Sequence, residues 1–129
     1  MDYAIEFGGD PQDVTITLSG VATPVDFRSF IEARVLDPRF RTDMVILVDA
    51  SRLDTSEMSS EALGAAMEPM IERDWHQPPL AVAIVTADAR TLADAALTRA
   101  RLGGRRSRRA VFTSHEEAID WLRAQRRTS

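Results

Sequence analysis

An α/β domain with a mixed, mostly parallel five-stranded sheet and about four helices is what this sequence predicts. Two alternating segments near the start, separated by Gly8-Gly9-Asp10-Pro11, read as an antiparallel hairpin. Two continuous apolar runs, Met44 to Val48 and Leu80 to Val85, read as strands buried on both faces, as in parallel sheets. Helical-period segments lie between and after these runs, so strands and helices alternate once the hairpin is complete.

The opening pair rests on a period of two. Tyr3, Ile5 and Phe7 alternate with Asp2, Ala4 and Glu6, and Val14, Ile16 and Leu18 alternate with Thr15, Thr17 and Ser19. The first helix begins at Thr23-Pro24-Val25-Asp26, where Thr23 supplies a cap, Pro24 suits the first helical position and Asp26 complements the helix dipole. Phe27, Phe30, Ile31 and Val35 share one face, which reads as core packing, and Pro38 ends the helix.

The central strand, Met44 to Val48, stops at Asp49, and the chain is organised around it and the polar loop that follows. Ser56, Ser59 or Ser60 caps the second helix, whose apolar positions include Met58, Ala62, Leu63, Ala66, Met67, Met70 and Ile71. Pro69 lies inside that pattern and is expected to kink or split it. The loop His76-Gln77-Pro78-Pro79 precedes the second buried strand. A third helix is expected from Thr86-Ala87-Asp88 to Gly103-Gly104, followed by a loop at Arg105 to Arg108 and a short strand at Ala110 to Thr113. Ser114-His115-Glu116-Glu117 is a capping box opening the last helix, with Ala118, Ile119 and Leu122 inward. The domain is expected to span 1–125, with 126–129 a frayed tail.

At 129 residues the chain fits one domain. The absence of cysteine excludes disulfides, thiol nucleophiles and thiolate metal sites. No apolar run reaches the ~20 residues needed to cross a bilayer, and Met1-Asp2-Tyr3 lacks signal-peptide character, so a cytoplasmic location is expected. Every basic residue is arginine. Residues 1–74 carry 15 acids and 6 arginines, net −9, whereas 75–129 carry 5 acids and 10 arginines, net +5. Such asymmetry suits two differently solvated ends, an oriented partner or head-to-tail self-association.

Ligands and partners of parallel α/β sheets meet the loops at the carboxyl ends of strands. Here those loops are Asp49 to Ser60, Thr86 to Asp88 and Thr113 to His115. Ser56, Ser59, Ser60 and Thr86 could form a phosphate or phosphorylation site beside helix N-termini, or serve as helix caps. Asp49, Asp54, Thr55, Glu57, Met58, Thr86 and Asp88 are the residues expected to face a partner or ligand. Asp49 reads as a loop-fixing acceptor, since no nucleophile, base and oxyanion hole accompany it. His76 and His115 are isolated, with no metal-ligand spacing, and no cofactor motif is present. The run Arg99, Arg101, Arg105, Arg106, Arg108 and Arg109 suits a solvated loop or one arm of a docking surface; the acidic balance argues against nucleic acid. Met58, Met67 and Met70 are either adaptable core or the lining of an apolar pocket.

The opening hairpin, L-x-D-P-R-F-R, I-L-V-D-A-S-R, A-V-A-I-V-T and the closing V-F-T-S-H-E-E-A-I-D-W-L together resemble the STAS-like group, relatives of the bacterial anti-anti-sigma factor of sporulation. The resemblance covers nearly the whole chain. It implies a βα superhelix with strands added in order, no enzymatic activity and no cofactor. It also implies a protein partner of the anti-sigma factor or kinase-like regulator type, docked on the loop and helix 54–70 and regulated by serine phosphorylation. In the best-understood branch the acceptor serine follows Asp-Ser and precedes glycine. This chain has Asp54-Thr55-Ser56-Glu57-Met58-Ser59-Ser60-Glu61 instead, with Met58 aligned to the acceptor, which leaves Ser56, Ser59 and Ser60 as candidates. A homodimer is compatible with the pattern. The alternative function is a small-molecule or lipid carrier of Sec14-type topology.

Overall fold

A computed structural model describes residues 1–87 and 108–128. Strands β1 (Asp2–Phe7), β2 (Val14–Val21), β3 (Val45–Asp54), β4 (Ala81–Val85) and β5 (Arg108–Phe112) form one sheet in sequence order. The β1–β2 pair is antiparallel and the remaining pairs are parallel. Helices α1 (Pro24–Leu36), α2 (Ser60–His76) and α3 (His115–Thr128) complete the described architecture. The helix expected between Thr86 and Gly103 lies outside the described residues, apart from Thr86 and Ala87.

The hairpin turns on backbone that side chains disfavour. Gly9 has φ +141°, and a Cβ there would stand 3.0 Å from the Gln12 carbonyl oxygen. The sheet is covered on both faces. Val14, Ile16, Leu18, Ile46 and Val82 pack with α1 and α2, whereas Val45, Leu47, Ala81, Ala83 and Val85 pack with Ala118 and Leu122 of α3. This two-sided burial is why β3 and β4 read as unbroken apolar runs. The α1 aromatics are core: Phe27 and Phe30 pack edge to face with centroids 6.0 Å apart, and Tyr3 joins them at 5.0 Å from Phe30.

Local chemistry sets the helix ends. Asp26 N–H donates to Thr23 Oγ1 at 3.2 Å, and Glu117 N–H donates to Ser114 Oγ at 3.3 Å. Pro69 does not split α2, which runs through it from Ser60 to His76. Burial of Leu63, Ala66, Met70 and Ile71 on one face supports the helix on both sides of the missing N–H. The last helix continues to Thr128, past the boundary expected at 125. Arg126 donates to the Pro11 carbonyl and pairs with Asp13 at 2.5 Å, which ties the end of α3 to the hairpin loop.

Strand β3 is longer than its apolar run. It passes through Asp49 and continues to Asp54 because β2 continues beside it to Val21. Thr17 faces Asp49 but Ser19 faces Arg52, so Ala50 and Ser51 together oppose Leu18 in a bulge. Asp49 Oδ1 accepts from Ser51 N–H at 3.1 Å and Ser51 Oγ at 2.6 Å, closing the bulge on itself. Asp49 therefore works inside the sheet, as a local acceptor, and the loop that follows β3 begins at Thr55.

Candidate functional site

The loop between β3 and α2 is held from inside. Asp54 C=O accepts from Ala22 N–H at 2.8 Å, and its carboxylate accepts from Ser56 N–H at 2.9 Å. Met58 N–H donates to Thr55 C=O at 3.0 Å, closing a turn over Thr55 to Met58. Thr55 and Met58 are buried, and Met58 belongs to the same core cluster as Phe27, Ile46 and Leu63. The intervening Ser56 and Glu57, with Asp54 before them and Ser59, Ser60 and Glu61 after, are exposed.

Ser59 is the N-cap of α2. Its Oγ accepts from Ala62 N–H at 3.0 Å, and its carbonyl accepts from Leu63 N–H at 2.9 Å. From there the solvent face of the helix carries Glu61, Ala65, Glu68 and Glu72, a spacing of one helical stripe. The result is an acidic, hydroxyl-bearing ridge fixed to the core by Thr55, Met58, Leu63, Ala66 and Met70.

Three of the residues expected to face a ligand lie elsewhere. Thr55 and Met58 point inward, as described. Thr86 is buried where β4 ends, its N–H donating to Phe112 C=O at 2.9 Å, so it is not presented alongside the serines. Asp88 lies outside the described residues. Met58 and Met70 are buried core and Met67, half-buried, packs against it.

The charge run also divides. Arg99, Arg101, Arg105 and Arg106 lie outside the described residues. Arg108 is exposed and donates to Gln125 Oε1 at 2.8 Å. Arg109, expected in a solvated run, is buried on β5 and pairs with Asp74. Asp74, fully buried on α2, also accepts from Arg34 Nη1 of α1 at 3.3 Å, and Arg73 Nη1 approaches it at 3.8 Å. Burial lowers the Arg34 guanidinium from its ordinary value, against the attraction of Asp74, and the positive charges of Arg109 and Arg73 lower it further. Arg109 is lowered for the same first reason and is likewise opposed by Asp74. This cluster was missed in the sequence. Its signal was positional: Arg34 continues the Phe27, Phe30, Ile31 stripe, and Asp74 continues the Met70, Ile71 stripe.

Beside the cluster, Val35, Leu36, Asp37, Pro38, Phe40, Arg73, His76 and Gln77 line an open cleft between the ends of α1 and α2. Arg73 Nη2 donates to Phe40 C=O at 3.0 Å across its base. Among the described residues no helix is long and apolar enough to cross a membrane.

No family model and no curated protein matches the sequence. Among solved structures, the chain is similar to an uncharacterised protein of the DUF3478 family with a SpoIIAA-like fold from Shewanella loihica PV-4. The two share 18% identity and superpose with a TM-score of 0.62 over 94% of this chain and 92% of that one. With strands added in order and the loop–helix ridge following β3, the chain has a SpoIIAA-like fold.

Proposed function

We propose that this chain is a non-enzymatic regulatory module of the cytoplasm that docks another protein through the loop and helix 54–70. The observation that carries this reading is the alternation of burial along the loop. Thr55 and Met58 anchor it, and Asp54, Ser56, Glu57, Ser59 and Ser60 are presented to solvent from that fixed base. Pre-organisation of this kind lowers the ordering cost of association. By the likeness of fold, the partner is of the anti-sigma factor or kinase-like regulator type.

Phosphorylation at Ser56, Ser59 or Ser60 would regulate the ridge electrostatically. A phosphoryl group adds nearly two negative charges. At Ser59 it would sit at a helix N-terminus, which tolerates anions, while repelling any partner that meets the ridge through acids. Mass spectrometry of the protein isolated from its own cells, native and then denatured, tests the reading. A covalent phosphoryl increment mapping to one of these serines supports it. Photo-crosslinkers placed at Glu57 and, as a control, at Glu32 on α1 then test the surface. Partner crosslinks that arise at Glu32 and never at Glu57 would remove the ridge from the interface.

The small-molecule or lipid carrier is the second reading, and the open cleft beside Phe40, Arg73 and His76 is what favours it. A non-covalent mass that is lost on denaturation, and whose binding is abolished by Arg73→Ala, would replace the docking reading with this one.

A further inference from the structure

Strand β1 forms one edge of the sheet, and its pairing with β2 determines what it presents outward. Phe7 stands opposite Val14, while Gly8 N–H donates to Asp13 C=O at 2.7 Å. In an antiparallel ladder this bond makes Phe7–Val14 a non-hydrogen-bonded pair, so the even-numbered residues of β1 direct their N–H and C=O groups to β2. Tyr3, Ile5 and Phe7 direct theirs away from the sheet. Their side chains lie on the α1 face, where Ile5 and Phe7 pack against the core and Tyr3 stays 46% exposed. The strand carries no proline or bulge to guard the edge, and its only charged residues are Asp2 and Glu6.

We infer that the β1 edge is the contact surface for a second copy of this chain, added antiparallel about a two-fold axis at Ile5. Two requirements select this register. Hydrogen bonding places outward residues opposite outward residues, and opposed side chains share one face. Both hold when odd-numbered residues oppose odd-numbered residues. The longest such match sets Tyr3 against the second copy's Phe7, Ile5 against its Ile5, and Phe7 against its Tyr3. Each hydrogen-bonded pair exchanges two N–H···O bonds, and the half-exposed apolar row becomes continuous across the two copies.

Charge permits the same geometry, because each end of the strand holds an ion pair of its own, Arg39 with Asp37 and the Met1 amino group with Asp26. At the Phe7 end, Arg39 lies 4.3 Å over the Phe7 ring with its side chain 60% exposed. At the Tyr3 end, Asp26 is exposed beside the Met1 amino group, 3.3 Å away. The two-fold brings the Arg39 end of each copy to the Asp26 end of the other. On the opposite face Glu6 stands across from the second copy's Ala4, so no acid directly faces an acid. The contact is isologous, and it closes as a dimer instead of propagating.

Analytical ultracentrifugation of the full chain over a concentration series tests this. The expected species has twice the 14.3 kDa chain mass. Ala4 is exposed, so its variants leave the core intact. Ala4→Lys sets a lysine across from Glu6 in both halves and should tighten association roughly two- to thirtyfold; Ala4→Glu should loosen it by a similar factor. Ile5→Pro removes the outward N–H at the two-fold and should give monomer, at an edge position where proline is tolerated, with circular dichroism confirming the fold. A monomer at every concentration would overturn the inference, as would a dimer equally tight in the Ala4→Lys and Ala4→Glu variants.

Discussion

Asp74 of α2 and Arg109 of β5, 35 residues apart in the chain, are ion-paired in the interior. Asp74 also takes Arg34 from α1, so one carboxylate joins both helices of that face to the last strand. The buried groups carry more positive than negative charge, which makes the carboxylate the member whose removal costs most. Breaking a buried ion pair by deleting one partner typically costs about 3–5 kcal/mol, because the charge left behind keeps its desolvation penalty. Asp74→Ala should therefore destabilise the protein by about 3–5 kcal/mol. Arg34→Met should cost less, since Asp74 keeps Arg109 and Arg73. Urea unfolding of the two variants checks the order, and equal midpoints for wild type and Asp74→Ala would dismiss the cluster as a source of stability.

Met58 gives a test that separates core from interface. It is 1% exposed and packs within the cluster that contains Phe27, Ile46 and Leu63. Truncating a buried large side chain to alanine typically costs ~2–5 kcal/mol. Met58→Ala should show that loss in thermal or urea unfolding, whereas Glu57→Ala next to it should leave stability within ~0.5 kcal/mol, as exposed positions do. If instead Met58→Ala left stability untouched, the loop would have to be turned the other way.

Much of this fold was legible because apolar periodicity survives packing. The alternation through Tyr3, Ile5 and Phe7, the unbroken run through Val45 to Val48, and the caps at Thr23 and Ser114 all correspond to observed elements. What sequence reasoning missed depends on contacts distant in the chain. Asp49 looks like a strand end because the apolar run stops there, yet β3 is prolonged by β2, which no local pattern in β3 reports. Arg109 looks solvated because it follows other arginines, yet its partner is on α2. The loop expected over Asp49 to Ser60 begins only at Thr55, and which of its residues face inward depends on the turn closed by Met58 N–H and Thr55 C=O.

The cap at Ser59 predicts different outcomes for adjacent serines. Ser59 Oγ satisfies the Ala62 amide at 3.0 Å, one of the donors a helix start leaves open. Ser59→Ala should cost about 1 kcal/mol, within the usual ~0.5–2 range, while Ser59→Asp should retain most of the cap because aspartate ranks with serine at this position. Thermal unfolding of both variants distinguishes capping from any effect on a partner. A binding change in Ser59→Ala that persists in Ser59→Asp, with stability restored, would belong to the interface and not to the helix.

Asp37 and Arg39 offer a pH-dependent check at the end of α1. Asp37 accepts from Arg39 N–H at 3.0 Å and from its guanidinium at 2.7 Å, and the side-chain bond chiefly holds the carboxyl below its ordinary value of 3.8. The same pairing raises Arg39. A carboxyl depressed in the folded state contributes stability above its unfolded pKa and loses that contribution as pH falls through the folded value. The effect is therefore constant at neutral pH and disappears only in the acid range below 3.8. Arg39→Ala should move the Asp37 carboxyl upward in an NMR titration, the side-chain bond and the charge being removed together, and should make acid unfolding slightly less steep. The backbone bond from residue 39 persists in that variant, so the carboxyl should still titrate below its ordinary value; a titration unchanged from wild type would show that the pair does not persist in solution.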